Sequence, residues 1–270
     1  MYGAWQLQLG SLQMVGSAAR IFCMQSLYQC DLAYVQAAAF GGLARGAAAE
    51  IIRRLQSAGA QLRRVVDVGC GAGVLTKSLT DAGFEVTGVD TSAELLEFAR
   101  TNVPNVPLVH ASAYDFQIEG YDAVVALGEP LTYHSESAEA DKLLTSFFRR
   151  VADALPVGGM FIFDVIGLGE PSLAARTFRS GDDWAVLVET AENQSQRILV
   201  RNIEIFRGVG DLYRRSHEVH TVRLFEVTKV CEQLASMGFV TETARSYGTQ
   251  ELPPRRHAFF ATRLGRGGRR

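Results

Sequence analysis

An α/β protein with a doubly wound parallel sheet is the fold class the sequence predicts, and three observations carry the prediction. Residues 65–76 read as an apolar strand that runs into alternating glycines and then into a helix. Strand-like and helix-like segments go on alternating through most of the chain, which is the pattern of repeated β-α units. The 270 residues, 47% of them hydrophobic, are enough to bury one large core without calling for a second.

The elements follow in order. Ala48, Ile51, Ile52 and Leu55 recur at helical spacing, so 47–58 is expected to be an amphipathic helix leading into a first strand at 64–68. A helix over 74–82 closes at Gly83, and a second strand follows at 84–89. Thr91 with Glu94 three residues on reads as a capping box that opens the next helix. The third strand is expected at 107–110 and the fourth at 122–127. A helix at 137–155 carries Leu143, Leu144, Phe147, Phe148 and Val151 on one face, and the fifth strand falls at 159–165. After Asp164 the rhythm changes. The stretches 184–189, 198–206 and 212–224 are β-rich and separated by polar or glycine-containing turns, which predicts an antiparallel insert over about 166–224. A helix at 225–237 and strands at 240–247 and 257–263 complete the chain, with no internal repeat and no long linker.

The glycine segment carries the chemistry. Gly69, Gly71 and Gly73 let the backbone turn at positive φ and bring amide groups close to a ligand at a helix N-terminus. Asp90 ends the next strand, where a carboxylate can accept both hydroxyls of a ribose. The spacing is Gly-x-Gly-x-Gly, and Val74 stands where a dinucleotide fingerprint has its last glycine or alanine. Asp67, two residues before the first glycine, suits an ammonium group and would repel a pyrophosphate. S-adenosylmethionine, a cationic amino acid on a nucleoside without phosphate, meets these demands, and a nicotinamide cofactor meets them less well.

Through 67–73, Asp90 and the Leu155-Pro156-Val157-Gly158-Gly159 turn, the sequence resembles the class I S-adenosylmethionine-dependent methyltransferases over roughly 50–263. Within them, 31–42, 127–133 and 213–220 look like a bacterial group whose small-molecule acceptors are mostly undefined. The resemblance implies a seven-stranded Rossmann-like sheet with the antiparallel insert after strand five. It further implies a domain over 46–263 and an N-terminal helical arm or lid over 1–45, with Tyr34 and Phe40 over the methionine end of the cofactor. Cofactor contacts are expected from Asp67, Gly69, Cys70, Gly71, Gly73, Asp90, Thr91, Ser112, Ala113 and Leu127. Ser112 stands where the family usually has an acid for the adenine amine, and Tyr114 is a candidate to pack on the ring instead. Val157 replaces a common proline in the turn.

The acceptor is expected outside the carboxyl ends of the strands, at the loop 128–134. There Glu129 is a candidate base or amine-orienting group, Tyr133 can hydrogen-bond or line the methyl path, and His134 titrates near neutrality. In the insert, Glu218 and His220 share a strand face while His217 points away, so His220, with Arg223, is a candidate to reach the acceptor and the His-Glu-Val-His segment is no zinc site. Arg223 is expected to pair with an acceptor carboxylate, so that Arg223→Ala would raise the acceptor KM. Each of these side chains also has a plain alternative as a solvated loop or sheet residue.

Composition excludes other classes. The net charge of −2 and the lack of a basic stripe argue against a nucleic-acid surface, and the tail at 264–270 is expected to be disordered and basic. Four cysteines without CxxC spacing, Cys23, Cys30, Cys70 and Cys231, point to the reducing cytosol and away from metal or disulfides. The first thirty residues lack both a charged n-region and an apolar run of about 18 residues, so neither secretion nor membrane spanning is expected. The oligomeric state is open, a dimer included. Two other functions remain compatible with the motif: a regulatory or assembly protein that binds the cofactor without turnover, and an NAD-dependent oxidoreductase, which the glycine spacing disfavours.

Overall fold

The computed structural model describes residues 27–58, 62–133 and 137–264. The first 26 residues of the expected arm, the tail beyond Leu264, Cys23 and His134 lie outside the described residues. Two helices open the chain, α1 (Cys30–Ala39) and α2 (Gly42–Ser57). Then come β1 (Arg64–Val68), α3 (Val74–Asp81), β2 (Glu85–Asp90), α4 (Ala93–Asn102), β3 (Leu108–His110), β4 (Ala123–Ala126), α5 (Ser137–Ala154) and β5 (Met160–Ile166). Four long strands follow, β6 (Ala175–Ser180), β7 (Trp184–Asn193), β8 (Ile198–Val209) and β9 (Leu212–Arg223). The chain ends with α6 (Val227–Ser236), β10 (Phe239–Ala244), β11 (Ser246–Tyr247), β12 (Gln250–Glu251) and β13 (Arg256–Arg263).

Seven strands form one sheet in the order β10-β13-β5-β4-β1-β2-β3. The pairs from β5 to β3 are parallel, and β13 runs antiparallel to both β5 and β10. Strands β1, β4 and β5 are buried on both faces, as their continuous apolar runs require. One apolar layer joins Phe147, Phe148 and Val151 of α5 to Phe161, Phe163 and Phe259, and the opposite layer joins Ile51 and Leu55 of α2 to Leu79, Val125 and Ile162. The register aligns Val68 with Val89, so both strands end level and Asp90 stands beside the glycine turn. Crossing from β2 to β4, the order reverses around β1, and a crevice opens at that switch point.

The four strands after β5 form a separate antiparallel sheet in sequential order. Its edge strand β6 was not among the expected stretches, because Ala-Arg-Thr-Phe-Arg-Ser is exposed at every position and carries no apolar alternation. Val186, Ile203 and Ile205 pack on Leu32 and Val35 of α1, so this sheet and the helical segment share a small core over the crevice. Ion pairs anchor the insert at its base. Arg255 binds Glu192 through both Nη atoms at 2.8 Å, and Arg223, 1% exposed, binds Asp141 of α5 at 3.0 Å and the carbonyl of Gln196 at 2.9 Å. The expectation that Arg223 meets the acceptor is thereby corrected: its guanidinium is spent on fastening β9 to α5.

Two further expectations change. The cap of α4 is Ser92 rather than Thr91, its Oγ accepting the Leu95 amide at 3.1 Å. The strand expected at 240–247 breaks after Ala244, because Gly248 at φ +61 turns β11 back onto β12 and buries the Tyr247 ring, whose hydroxyl donates to Asp164.

Candidate active site

The turn after β1 builds the floor of the crevice. Gly69 and Cys70 both donate their amides to the carbonyl of Val89, at 2.7 and 3.1 Å, folding the turn over the end of β2. Gly71 has φ +54 with open space where a Cβ would stand, so a ligand can approach that backbone directly. At Gly69 (φ +71) a Cβ would collide with Pro130 at 2.3 Å, which fixes the distance between this turn and the loop after β4. Gly73 does something else: it sits outside the cavity lining, at the N-cap of α3, where close packing on Ala99 and Val103 excludes a side chain.

One cavity is lined by Asp67, Gly69, Cys70, Gly71, Asp90, Thr91, Ser112, Ala113, Leu127 and Tyr133, so the cofactor positions read from the sequence, Gly73 apart, meet in one place. Asp67 is 2% exposed and accepts the Thr76 hydroxyl at 2.6 Å. Burial raises its carboxyl to about 6, with the nearby Asp90 adding to the effect. Asp90 accepts the Gly71 amide on Oδ2 and the Ser92 amide on Oδ1, each at 2.8 Å, and burial raises its carboxyl as well. The amide of Thr91 also helps to stabilise this carboxylate, and a carboxylate's four lone-pair sites still leave room for a ligand hydroxyl. Burial also pushes the Cys70 thiol far up, which removes it as a nucleophile. Tyr114 lines the cavity with its ring and donates its hydroxyl to the Leu131 carbonyl at 2.8 Å.

At the other end of the cavity Tyr133 and Tyr28 face one another, their hydroxyl oxygens 3.0 Å apart. Burial holds both phenols above their ordinary value. The sequence did not single out Tyr28; it stands in an apolar N-terminal stretch without period or motif, and the structure brings it there at φ +54. Phe40 and Gln36 also reach the cavity. Tyr34 does not: its hydroxyl donates to Asp183 at 2.7 Å and Arg207 lies 3.9 Å over its ring, so it ties α1 to the insert.

Glu129 and His220 require correction. Glu129, 2% exposed and at φ +64, turns away from the cavity. Arg201 of β8 donates to its Oε1 at 2.5 Å and Arg256 of β13 lies 2.7 Å from its Oε2. Burial alone would raise this carboxyl, but the two guanidinium charges outweigh it and leave it below the ordinary range. A carboxylate so held is a poor proton acceptor. His220 is 1% exposed and lies behind the tyrosines, edge-on to Tyr28 at 5.0 Å and to Tyr133 at 5.7 Å between ring centroids. Its Nε2 is 2.8 Å from Glu218, as two residues on one strand face should be. Among the described residues no three His, Cys, Asp or Glu side chains are grouped to hold a metal, and no helix is long and apolar enough to cross a membrane.

Comparison with known proteins bears on the same region. A model of a methyltransferase domain matches residues 65–155. The putative methyltransferase YqeM of Bacillus subtilis (strain 168) is 28% identical over 184 residues, covering 65% of this chain and 73% of that protein. The dTDP-3-amino-3,6-dideoxy-alpha-D-glucopyranose N,N-dimethyltransferase of Streptomyces fradiae is 32% identical over 181 residues, covering 66% of this chain and 69% of its own length. Among solved structures, the sugar N-methyltransferase KedS8 from a Streptoalloteichus species superposes with a TM-score of 0.70 over 96% of this chain and 100% of its own, at 22% identity.

Proposed function

Because this chain belongs to the class I S-adenosylmethionine-dependent methyltransferase superfamily, we propose that it binds S-adenosylmethionine in the crevice and methylates a small molecule there. One observation carries the cofactor reading: two buried carboxylates that form no ion pair among the described residues, Asp67 and Asp90, line the same cavity as an open glycine turn. A cationic, ribose-bearing ligand supplies what both acids lack.

In this reading Asp67 holds the ammonium, Asp90 accepts the ribose hydroxyls, and the amides around Gly71 receive the carboxylate end. Ser112, Ala113, Tyr114 and Leu127 flank the base. When bound, the cofactor supplies an electrophilic methyl group on a sulfonium. The chain's task is then alignment and exclusion of water. Tyr28 and Tyr133 offer neutral hydroxyls at the acceptor end. The one carboxylate of the adjoining loop, Glu129, is locked between two arginines. This supports an acceptor that arrives with its lone pair free, such as a neutral amine, and the nucleotide-sugar relative from Streptomyces fradiae is named for an N-methylation. The unpaired Cys30, Cys70 and Cys231 agree with a cytosolic enzyme.

The test is transfer of labelled methyl from S-adenosylmethionine into a fractionated cell extract, with Asp90→Ala as control. Label in a small-molecule fraction, lost in the variant, is expected. Label confined to protein or nucleic acid would overturn the acceptor class. Cofactor binding without any label, in extracts of several sources, would turn the reading toward a binding protein.

A further inference from the structure

We propose that Glu218, backed by His220, is a positioning group that clamps the Tyr28 turn over the cavity and thereby sets the Tyr28 and Tyr133 hydroxyls against each other; this rests on reading the cavity as the cofactor and acceptor site. The two amides of the turn, Tyr28 and Gln29, each donate to a different oxygen of Glu218 at 2.9 Å. Glu218 is 7% exposed, and its third partner is the His220 imidazole. A carboxylate with two oxygens facing two adjacent amides grips backbone, so it fixes the turn whatever side chains the turn carries. Tyr28 stands at φ +54, a conformation that a bulky residue keeps only where its surroundings impose it. On the far side, Ser92 Oγ donates to the Tyr28 carbonyl at 2.9 Å. The amide of that same Ser92 is bound to Asp90. The peptide is therefore held from both flanks, by Glu218 on β9 of the insert and by Ser92, which is itself tied to the acid at the end of β2. His220 fills the space behind both tyrosine rings, so one strand face controls the backbone and the ring positions together.

Glu218→Gln tests the clamp, since the amide keeps one acceptor oxygen and turns an NH2 toward the second N–H. Hydrogen exchange of the full-length protein without cofactor is read at residues 27–36 and, for comparison, in β1 and β5. We expect exchange at Tyr28 and Gln29 to speed about tenfold or more, with the two core strands unchanged, and the affinity for S-adenosylhomocysteine, measured by titration calorimetry, to fall about tenfold. Unchanged exchange at the turn, or faster exchange with unchanged affinity, would overturn the proposal. Tyr28→Phe supplies a second arm that does not depend on Glu218→Gln folding. It keeps the ring and removes only the hydroxyl contact to Tyr133, so its turn amides should stay within about threefold of the original protein; acceleration there would mean that the hydroxyl pair holds the turn, and the proposal would fail. Failure of the unaltered protein to bind S-adenosylhomocysteine would instead bring down the reading of the cavity, a result that the exchange measurements cannot produce.

Discussion

Two sets of buried acids border the crevice, and they differ in what neutralises them. On the floor, Asp67 and Asp90 meet hydroxyl and amide donors, and burial leaves their carboxyls raised. In the wall, Glu129 meets the guanidinium groups of Arg201 and Arg256, and its carboxyl is lowered. Burial does not separate the two, since Asp67 and Glu129 are each 2% exposed and Asp90 is 9% exposed. The wall acid has its counter-charges within the chain, so it serves the architecture. The floor acids form no ion pair among the described residues, which is the state that a cationic ligand would relieve in the proposed reading.

The contrast breaks most visibly at the wall. Glu129→Gln leaves two buried guanidinium groups facing an uncharged amide, so the folded state should lose about 3–5 kcal/mol, read as a large drop in the denaturation midpoint. A change under about 1 kcal/mol would show that the arginines find other partners and that Glu129 is free for chemistry. On the floor, Asp90→Ala should weaken S-adenosylhomocysteine binding about a hundredfold, in keeping with two charge-assisted hydrogen bonds, while costing less stability than Glu129→Gln, because the Gly71 and Ser92 amides lose an acceptor but no buried charge is left unpaired. Equal loss of stability and affinity would erase the distinction between the two sets.

Asp67 sharpens the comparison through pH. Its folded carboxyl, at about 6, lies above the unfolded value, so the folded state prefers it protonated. That contribution to stability is fully present below the unfolded value near pH 4 and is lost as pH rises through about 6. Asp67→Asn, which stays neutral, should therefore be more stable than the original protein at pH 8, on the order of 2–3 kcal/mol, with the difference vanishing near pH 4. The original protein's cofactor affinity should fall below about pH 6, where Asp67 takes up a proton, and the variant should lose both the affinity and its pH dependence. The smallest effect belongs to Thr76→Val. Removing the donor to Asp67 costs roughly 1 kcal/mol or a little more and moves the pH midpoint of cofactor binding upward, because the ionised form loses a hydrogen bond. An unmoved midpoint would mean that Asp67 does not titrate in binding.

The floor was legible in the sequence because its parts are local. Asp67, Gly69 and Gly71 follow within five residues, and Asp90 ends the next strand of the same β-α unit, so the parallel register that brings them together comes with the motif. The wall was not. Glu129 looked like a loop acid available for chemistry because its partners Arg201 and Arg256 come from β8 and β13, far along the chain. Arg223 misled for the same reason, its partner being Asp141 on α5. His220 and Glu218 were correctly placed on one face by the alternation of β9, but which layer that face occupies depends on where the insert folds. Tyr28 had no signal at all, since a positive φ held by a distant carboxylate leaves no trace in composition.

The sequence by itself determined the class of fold, the order of the strands and helices of the main sheet up to β5, and the floor on which a cofactor can rest. These follow from periodicity and from glycines whose backbone demands are met within a few residues. Only the tertiary structure decided which charges are spent and which remain available. Pairing and burial are set by segments that meet from opposite ends of the chain, and a carboxylate's chemistry depends on what it meets there.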